Sequence, residues 1–322
     1  MKTPLKMLLG ACALALAGAA SAQTFPTKPI RLIVPFAPGG VADITARIMA
    51  SKMGENVGQQ VVVENRPGAG MIASAQAVMA AQPDGHIMVV AGNGTAISTS
   101  LFKSLPFDVF KDFIQLSTLA YFDLVMIASP DSRFKTVGEV ITYARSNPGK
   151  LNVGTISIGS TQHLTGELFK SLAKVDMQIV PFKGSPEMIL GLRSGALDVG
   201  FEILPAVISQ VRSNGLRLLA TAGDQRLRLM PNAPTIAESG VPGFLSNSWN
   251  GISTRAGTPR PLVDRLSKEI NHALEDKAVI QKMAEVGADA KGCTPEEARQ
   301  LMIDTIAKWK KVIEDAKIPL QG

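Results

Sequence analysis

The sequence predicts an α/β protein in which helices cover both faces of a mostly parallel sheet. Short apolar runs typical of strands alternate with helical patterns along most of the chain. Loops rich in glycine, serine and threonine follow several of these runs. The roughly 300 residues beyond an N-terminal leader suffice for one large or two moderate domains. We therefore expect two α/β lobes with a cleft between them.

The first 22 residues have the pattern of an export signal. Lys2 and Lys6 supply the positive end, Met7 to Gly18 the apolar segment, and Ala20-Ser21-Ala22 a cleavage site. The apolar segment is well short of the ~20 residues that span a bilayer. We expect a cleaved signal and a periplasmic protein. Lipid anchoring at Cys12 is the minor alternative, because only a very short apolar segment precedes this residue.

The mature chain is mildly basic and has a single cysteine. Its formal net charge falls from +6 to +4 when Lys2 and Lys6 are removed, because the leader carries no acid. This charge suits anionic ligands, and no basic cluster with interleaved aromatics indicates a nucleic-acid surface. Cys293 has no partner once Cys12 is gone, so the core must stabilise the chain. Nothing in the sequence requires a dimer, and we expect a monomer.

The first set of elements is predicted over residues 30–95. It comprises strands at Ile30 to Phe36, Gln60 to Glu64 and His86 to Ala91, and helices near Asp43 to Gly54 and across Ala73 to Ala81. The first strand leads into the rigid loop 35–40, and the third leads into the loop Gly92-Asn93-Gly94-Thr95. Ligands collect at the carboxyl ends of strands in such sheets, so we expect these loops to converge.

The second set of elements is predicted over residues 124–220. Its strands are Leu124 to Ala128, Leu151 to Thr155, Gln178 to Phe182, Asp198 to Phe201 and Leu216 to Ala220. Its helices are Thr136 to Asn147, Gln162 to Ala173 and one that ends near Leu192. The loops 157–161 and 183–186 precede the second and third of these helices. We expect residues 23–125 and 248–322 to form lobe 1, and residues 126–247 to form lobe 2.

The remainder of the chain is predicted to be helical. Thr258 and Pro259 resemble an N-cap followed by proline at the first helical position. Thr294 with Glu297 forms a capping-box pattern before a helix over Ala298 to Ala316. That helix carries one apolar stripe that includes Trp309, which we assign to the core rather than to a ligand contact.

Enzymatic chemistry is poorly supported by the sequence. His86, His163 and His272 are the only histidines, and neither a nucleophile elbow nor a metal-ligand spacing is present. His272 lies among charged helical residues and is assigned to the solvated surface. The segment Gly68 to Ala73 matches a dinucleotide fingerprint, but the acid expected some 20 residues later is missing, so we interpret it as a turn. We expect no metal and no cofactor.

Four loops could instead bind an anion. Gly39-Gly40, Gly94-Thr95, Gly159-Ser160-Thr161 and Gly184-Ser185 place small and hydroxyl residues at predicted strand ends. One helix end contributes only ~0.3–1 kcal/mol, or up to ~2 kcal/mol when partly buried. Several charge-assisted hydrogen bonds of ~1.5–3 kcal/mol each could reach the roughly 8 kcal/mol of a micromolar site.

Conspicuous segments throughout the mature chain resemble those of the Bug/TctC family, the periplasmic solute-binding proteins of tripartite tricarboxylate transporters. The segments are KPIRLIVPFAPGGVADITAR (28–47), VVVENRPGAG (61–70), QPDGH (82–86), LPFDVFKDF (105–113), NPGKLNVGT (147–155), STQHLTGELF (160–169), VPFKGSPE (180–187) and RAGTP (255–259). The resemblance implies a two-lobed type II periplasmic-binding fold. It also implies a dicarboxylate, tricarboxylate or aromatic acid as ligand, membrane permease subunits as partners, and no catalysis.

The resemblance also implies a set of ligand contacts from both lobes. The residues are Phe36, Pro38, Gly39, Gly40, Asp43, Asn93, Gly94 and Thr95 from lobe 1, and Ser157, Gly159, Ser160, Thr161, His163, Lys183, Gly184, Ser185 and Glu202 from lobe 2. Three of them have equally good structural interpretations. Asp43 could complement a helix start, His163 could fix its loop, and Lys183 could pair with Glu187 in solvent.

Two departures from the family pattern bear on specificity. Family members often have Asp followed by Asn where this chain has Glu202-Ile203, so the polar contacts from that strand end are uncertain. Val41-Ala42 replaces residues that are commonly small and polar, which would place apolar surface beside the pocket. We therefore expect a ligand with a hydrocarbon or aromatic body as well as a carboxylate.

Two other functions remain open at this stage. A sensor subunit would present the same ligand-bound state to a signalling protein instead of a transporter. A periplasmic hydrolase would use Ser157 or Ser160 with His163, but these residues lie close together at one helix start and no orienting acid is identifiable.

Overall fold

The computed structural model describes residues 25–322, so the predicted leader, including Cys12, lies outside the described residues. The strands are β1 (Ile30–Val34), β2 (Val61–Asn65), β3 (Ile87–Gly92), β4 (Phe113–Ala128), β5 (Asn152–Ile156), β6 (Gln178–Phe182), β7 (Val199–Ile203), β8 (Arg217–Thr221), β9 (Asn247–Arg255) and β10 (Asp289–Ala290). The α-helices are α1 (Val41–Val57), α2 (Ile72–Met79), α3 (Asn93–Leu101), α4 (Val137–Ser146), α5 (Thr161–Ala173), α6 (Ser185–Arg193), α7 (Leu204–Arg212), α8 (Arg260–Leu274), α9 (Lys277–Glu285) and α10 (Pro295–Asp315). The predicted alternation of strands and helices is confirmed.

The strands form one path in the order β2-β1-β3-β9-β4-β7-β5-β6. The long strand β4 changes partners along its length. Residues 113–123 pair with β9, whereas residues 124–128 pair with β7 and β8. We call the strands on the β9 side, with β10, the first half-sheet, and those on the β7 side the second half-sheet.

The prediction of a mostly parallel sheet is wrong at the centre. The pairs of β1 with β2 and β3, and of β5 with β6 and β7, are parallel. The pairs of β9 with β3 and β4, and of β4 with β7 and β8, are antiparallel. One cause is β9, which lies in a segment predicted to contain no strand. It returns from the second half-sheet and inserts between β3 and β4. The other cause is β4 itself, which runs antiparallel to β7 and β8.

Two large apolar cores stabilise the two half-sheets. One contains β1, α1 and α8 residues such as Leu32, Met49 and Leu266, and the other contains Phe169, Phe201 and residues from β4, α4 and β8. Both cores consist of fully or nearly fully buried side chains, and burial contributes about 25 cal/mol per Å² of apolar surface. Among residues 25–322, no helix is both long and apolar enough to cross a membrane.

The last helix, α10, connects the two halves. Its capping box is confirmed, since the Thr294 side chain accepts from the Glu297 N–H and Glu297 accepts from the Thr294 N–H. Trp309 is fully buried with Leu101 of α3 and Leu164 of α5, which confirms its assignment to the core. The prediction for α8 is wrong by one residue. Pro259 is the N-cap residue there, and the Thr258 hydroxyl donates to the Arg255 carbonyl instead.

Candidate functional site

The carboxyl ends of five strands are each followed by a helix start, either directly or after a short loop. β1, β3, β5, β6 and β7 are followed by α1, α3, α5, α6 and α7. The predicted loop Gly92 to Thr95 is in fact the start of a helix, since Asn93, Gly94 and Thr95 form the first turn of α3. This placement directs their backbone N–H groups along the helix axis, which favours an anion at that point.

A hydrogen bond joins the helix starts of the two half-sheets. Asn93 Nδ2 on α3 donates to Thr161 Oγ1 on α5 over 2.7 Å, and both side chains are buried. The Trp309 Nε1–H donates to Asn93 Oδ1 over 2.8 Å, so α10 fixes the orientation of the amide. The structure therefore brings two predicted site residues from different loops into direct contact.

The loop between β5 and α5 packs against α3 as well. Gly159 has a φ of +80°, and a Cβ atom there would lie 2.0 Å from Leu101 Cδ2. Only glycine satisfies both requirements without rearrangement. Ser160 is the N-cap of α5, because its Oγ accepts from the His163 N–H over 3.0 Å. Ser157 is exposed, and its backbone N–H donates to the Phe182 carbonyl over 2.7 Å.

The loop between β1 and α1 is exposed at its tip. Phe36 is 44% exposed, and a Cβ on Gly94 would lie 3.6 Å from the edge of its ring, so the two loops adjoin. Pro38, Gly39 and Gly40 are exposed, and Gly39 adopts a φ of +81°. Thr95 is buried, and its hydroxyl accepts from the Gly92 N–H over 3.2 Å.

Asp43 is a buried acid whose two carboxylate oxygens are both occupied. Oδ2 accepts from the Gly39 N–H, and Oδ1 accepts from Arg47 Nε and Asn65 Nδ2, each over 2.9 Å. Burial alone would raise the pKa of Asp43, but these hydrogen bonds and the Arg47 charge outweigh it, so the pKa lies below its usual range. These contacts favour the interpretation that Asp43 holds the loop and the helix start, and its contact with ligand stays a prediction.

His163 lies on the first turn of α5 and is 7% exposed. Its ring Nδ1 is buried without a hydrogen-bond partner among residues 25–322. Burial lowers the pKa of His163 below its usual range, which favours the neutral imidazole.

The start of α6 contributes Lys183, Gly184 and Ser185. Lys183 is exposed, and its backbone N–H rather than its ammonium group contacts Glu187, over 3.2 Å to Oε2. Gly184 is the N-cap of α6, and Ser185 is its first residue. Lys183 and Glu187 are therefore in contact, but the contact is made by the Lys183 backbone and not by its side chain.

Glu202 near the end of β7 is fully buried. Its Oε1 accepts from Gln162 Nε2 over 2.5 Å and from the Ile203 N–H over 2.8 Å. Burial raises the pKa of Glu202 above its usual range, although the nearby Ser185 hydroxyl and the hydrogen bonds from Gln162 and the Ile203 N–H oppose the rise. Polar contacts from this strand end are thus retained despite the departure from the family pattern.

Sequence reasoning missed two residues that shape the site, Asn65 and Gln162, and the hydrogen bond from Trp309 to Asn93. Asn65 ends β2 and bonds Asp43, whereas Gln162 bonds Glu202 from α5. An amide immediately after an apolar strand was the available signal for Asn65.

His272 is exposed, as predicted, and the turn interpretation of Gly68 to Ala73 agrees with a φ of +63° at Gly70. In the described part of the chain, no group of three or more His, Cys, Asp or Glu side chains could hold a metal ion.

Loops from two linked α/β halves, meeting at helix starts, define a two-lobed solute-binding protein. The comparisons with known proteins specify the family. Residues 45–318 match the TctC model, described as "Tripartite tricarboxylate transporter family receptor", so the chain belongs to this family. The predicted family and the predicted fold class are both confirmed.

Relatives and solved structures agree with this assignment. The chain is 32% identical over 308 residues to protein BugT of Bordetella pertussis, covering 95% of this chain and 94% of BugT. An R. palustris protein solved with adipate superposes with a TM-score of 0.83 at 31% identity, covering 92% of this chain and 99% of that one. MatC from Rhodopseudomonas palustris, solved with malate, gives a TM-score of 0.78 at 30% identity, covering 90% of this chain and 100% of MatC.

Proposed function

We propose that this protein captures a small organic carboxylate in the periplasm and delivers it to a tripartite tricarboxylate-type membrane permease. The observation that carries the proposal is the Asn93–Thr161 hydrogen bond, which joins the helix starts of the two half-sheets at one point. Adipate and malate in the related structures support the ligand class. The permease would recognise both lobes at the cleft rim, because their relative position reports occupancy.

The ligand contacts in this proposal are those predicted from the sequence, divided between residues 23–125 with 248–322 and residues 126–247. Helix starts α3, α5 and α6 supply backbone donors, and the exposed Phe36 supplies an apolar wall. Val41 and Ala42 begin α1 and are half-buried and buried, so they add little accessible apolar surface. The expected hydrocarbon or aromatic body would therefore rest mainly on Phe36.

The protein in this proposal has no catalytic activity. The Ser160 hydroxyl donates to the Ile156 carbonyl over 2.6 Å and accepts from the His163 backbone N–H. The same hydroxyl is therefore already bonded to the main chain rather than to the imidazole, which does not suit a nucleophile and base. The leader 1–22 would be removed on export, and the mature protein would act as a monomer.

Thermal unfolding with a ligand panel tests the proposed function. The mature protein is heated with millimolar adipate, malate, citrate, benzoate or nicotinate at fixed pH and salt. A ligand at ~100 times its Kd adds about 2.7 kcal/mol of stability, a shift of a few degrees. Thr161→Val should weaken the shift, and Ser171→Ala, which removes an exposed hydroxyl at the other end of α5, should not. Stabilisation by none of the acids would contradict the proposal.

A further inference from the structure

The carboxyl group of Glu202 lies where the second half-sheet meets the start of helices α5 and α6. Gln162 on the first turn of α5 bonds it directly, and Ser185 at the start of α6 lies close enough to influence it. Both helix starts belong to the loops proposed to contact ligand. Glu202 therefore lies beside the two helix starts that lobe 2 is proposed to present to the ligand, and its side chain is fully buried.

The two oxygens of this carboxyl group differ in their surroundings. Oε1 accepts two hydrogen bonds, from Gln162 and from the Ile203 N–H. Oε2 is buried and meets no donor of the described chain in hydrogen-bond geometry, although the Ser185 hydroxyl lies near the carboxyl group. An ionised carboxylate shares its charge and attracts donors to both oxygens, whereas a neutral acid has one carbonyl oxygen and one hydroxyl. Oε1 has the surroundings of the carbonyl oxygen, and Oε2 has those of a hydroxyl that lacks an acceptor.

Within residues 25–322, no cation offsets the burial of this acid. Strand β7 is packed against β4, β5, α5, α6 and α7. The titratable or charged side chains on these elements are Tyr121, Asp123, His163, Glu167, Lys170, Glu187, Arg193 and Arg212. None of them is a cause of the pKa shift of Glu202, which burial raises and only hydrogen bonds oppose.

We propose that Glu202 is a neutral carboxylic acid whose Oε2 hydroxyl donates a hydrogen bond to the carboxylate of the bound ligand. This inference rests on the proposed function and specifies the chemistry of its lobe 2 contact. An ionised Glu202 would repel a ligand carboxylate at hydrogen-bond distance, whereas the neutral acid supplies the donor that the anion requires. Glu202 thereby selects for a carboxylate and against a ligand ammonium group.

Calorimetric titration of the tightest-binding acid of the panel tests this inference between pH 6 and pH 9. In the wild type, affinity should fall by up to about tenfold per pH unit above the pKa of Glu202, and binding should take up a proton from the buffer. Glu202→Gln keeps a donor that does not titrate, so its affinity should stay constant with pH and its proton uptake should vanish. Glu202→Leu lacks the donor and should bind at least about tenfold more weakly at pH 6.

Glu167→Gln is the matched control, because Glu167 is a half-buried glutamate on α5 whose pKa burial also raises. It should retain the wild-type pH dependence. Absence of the infrared C=O band of a neutral acid at pH 7, or a Glu202→Gln variant as weak as Glu202→Leu at pH 6, would overturn the inference. Infrared spectroscopy tests whether Glu202 is protonated in the ligand-free protein. We expect the C=O band of a neutral acid at pH 7 in the wild type and its loss in Glu202→Gln.

These measurements separate the two proposals. If no acid of the panel binds the folded wild type, the proposed function fails, and the role of Glu202 as a ligand donor fails with it. If an acid binds but the pH profile and the infrared band are those of an ionised Glu202, only the inference fails.

Discussion

Asp43 in the first half-sheet and Glu202 in the second are both buried acids at the junction of a strand and a helix. Asp43 has the Arg47 cation and donors on both oxygens, and its pKa is lowered. In the part of the chain that the structure describes, Glu202 has donors on one oxygen only and no cation, and its pKa is raised. Both acids are buried, so the difference between them comes from their hydrogen-bond donors and neighbouring charges. These contacts hold Asp43 as a carboxylate in its loop and leave Glu202 with one oxygen for the proposed ligand contact.

Removing the Asp43 carboxylate should have the largest effect on stability. Asp43→Ala leaves the Gly39 N–H and the Asn65 amide without their shared acceptor, and we expect a loss of about 2–3 kcal/mol in the free energy of unfolding. Urea unfolding at pH 7 measures it. Because the folded pKa is lowered, the wild-type contribution is present above pH ~4 and is lost as pH falls through the folded pKa.

Glu55→Ala is the matched control for this prediction, since Glu55 is an exposed acid on the same helix. It should change the unfolding free energy by less than about 0.5 kcal/mol. An equal loss in both variants would show that Asp43 is no more than a surface charge.

Asp123, where β4 passes between the half-sheets, extends the comparison to an acid beside like charges. Burial and the neighbouring Asp289 and Asp224 raise the pKa of Asp123 to about 6. Because the folded pKa is raised, stability falls as pH rises from ~4 to 6, and the penalty is complete above 6. Asp123→Asn should add about 2 kcal/mol at pH 8 and little at pH 4, measured by urea unfolding.

Asp224→Asn provides the second arm of that test. It removes one like charge and should move the midpoint of the wild-type pH dependence downwards. A gain from Asp123→Asn that is equal at pH 4 and pH 8 would rule out ionisation as its cause.

The Glu202→Gln substitution should give a stability change with the same sign as Asp123→Asn. Its amide keeps an acceptor for Gln162 and the Ile203 N–H, so at pH 4 the variant should match the wild type. The wild type loses stability as pH rises from the unfolded pKa of Glu202 to its folded pKa, so the variant should be the more stable protein at pH 8, by about 1.4 kcal/mol for each unit that separates the two pKa values. Thermal unfolding at the two pH values measures the difference. A destabilised variant at pH 8 would show that Glu202 is held as a carboxylate, like Asp43.

The smallest expected effect is the coupling between the two regions. A double-mutant cycle of Asn93→Ala and Thr161→Val should give an interaction free energy of about 0.5–1 kcal/mol, typical of one hydrogen bond. Urea unfolding of the four proteins measures it. Asn93→Ala also loses the Trp309 contact, and the cycle removes this loss from the result because it occurs in both the single and the double variant. An interaction free energy of zero would mean that the bond does not join the halves in solution.

The sequence predicts most of the strand and helix pattern because apolar runs and capping residues are local signals. It fails at β9, where Asn250, Ser253 and Thr254 are buried polar residues in a strand flanked on both sides. A strand stabilised by ladder hydrogen bonds at the centre of a sheet needs no apolar alternation. Helix α3 was also missed, because asparagine and glycine in its first turn are poor helix formers. Its packing against α10, which the sequence does not reveal, stabilises the helix.

The candidate site was predictable only in part. Gly39, Gly159 and Gly184 lie at strand ends in the sequence, and the positive φ of the first two follows from the turns that they form. The partners of Asp43 and Glu202 were not predictable. Asn65 and Gln162 are 22 and 40 residues away from the acids that they bond, and only the register of the strands brings them close. The pKa directions depend on those partners.

The continuity of β4 limits how the two halves can move. A single strand carries backbone hydrogen bonds to β9 up to Asp123 and to β7 and β8 from Leu124 onward. Sliding one half past the other would break that ladder, whereas rotation needs only a change in the twist of a few residues. We therefore expect the two halves to move mainly by rotation about β4 near residues 123 and 124, and a partner that distinguished the states of the protein would respond to that rotation.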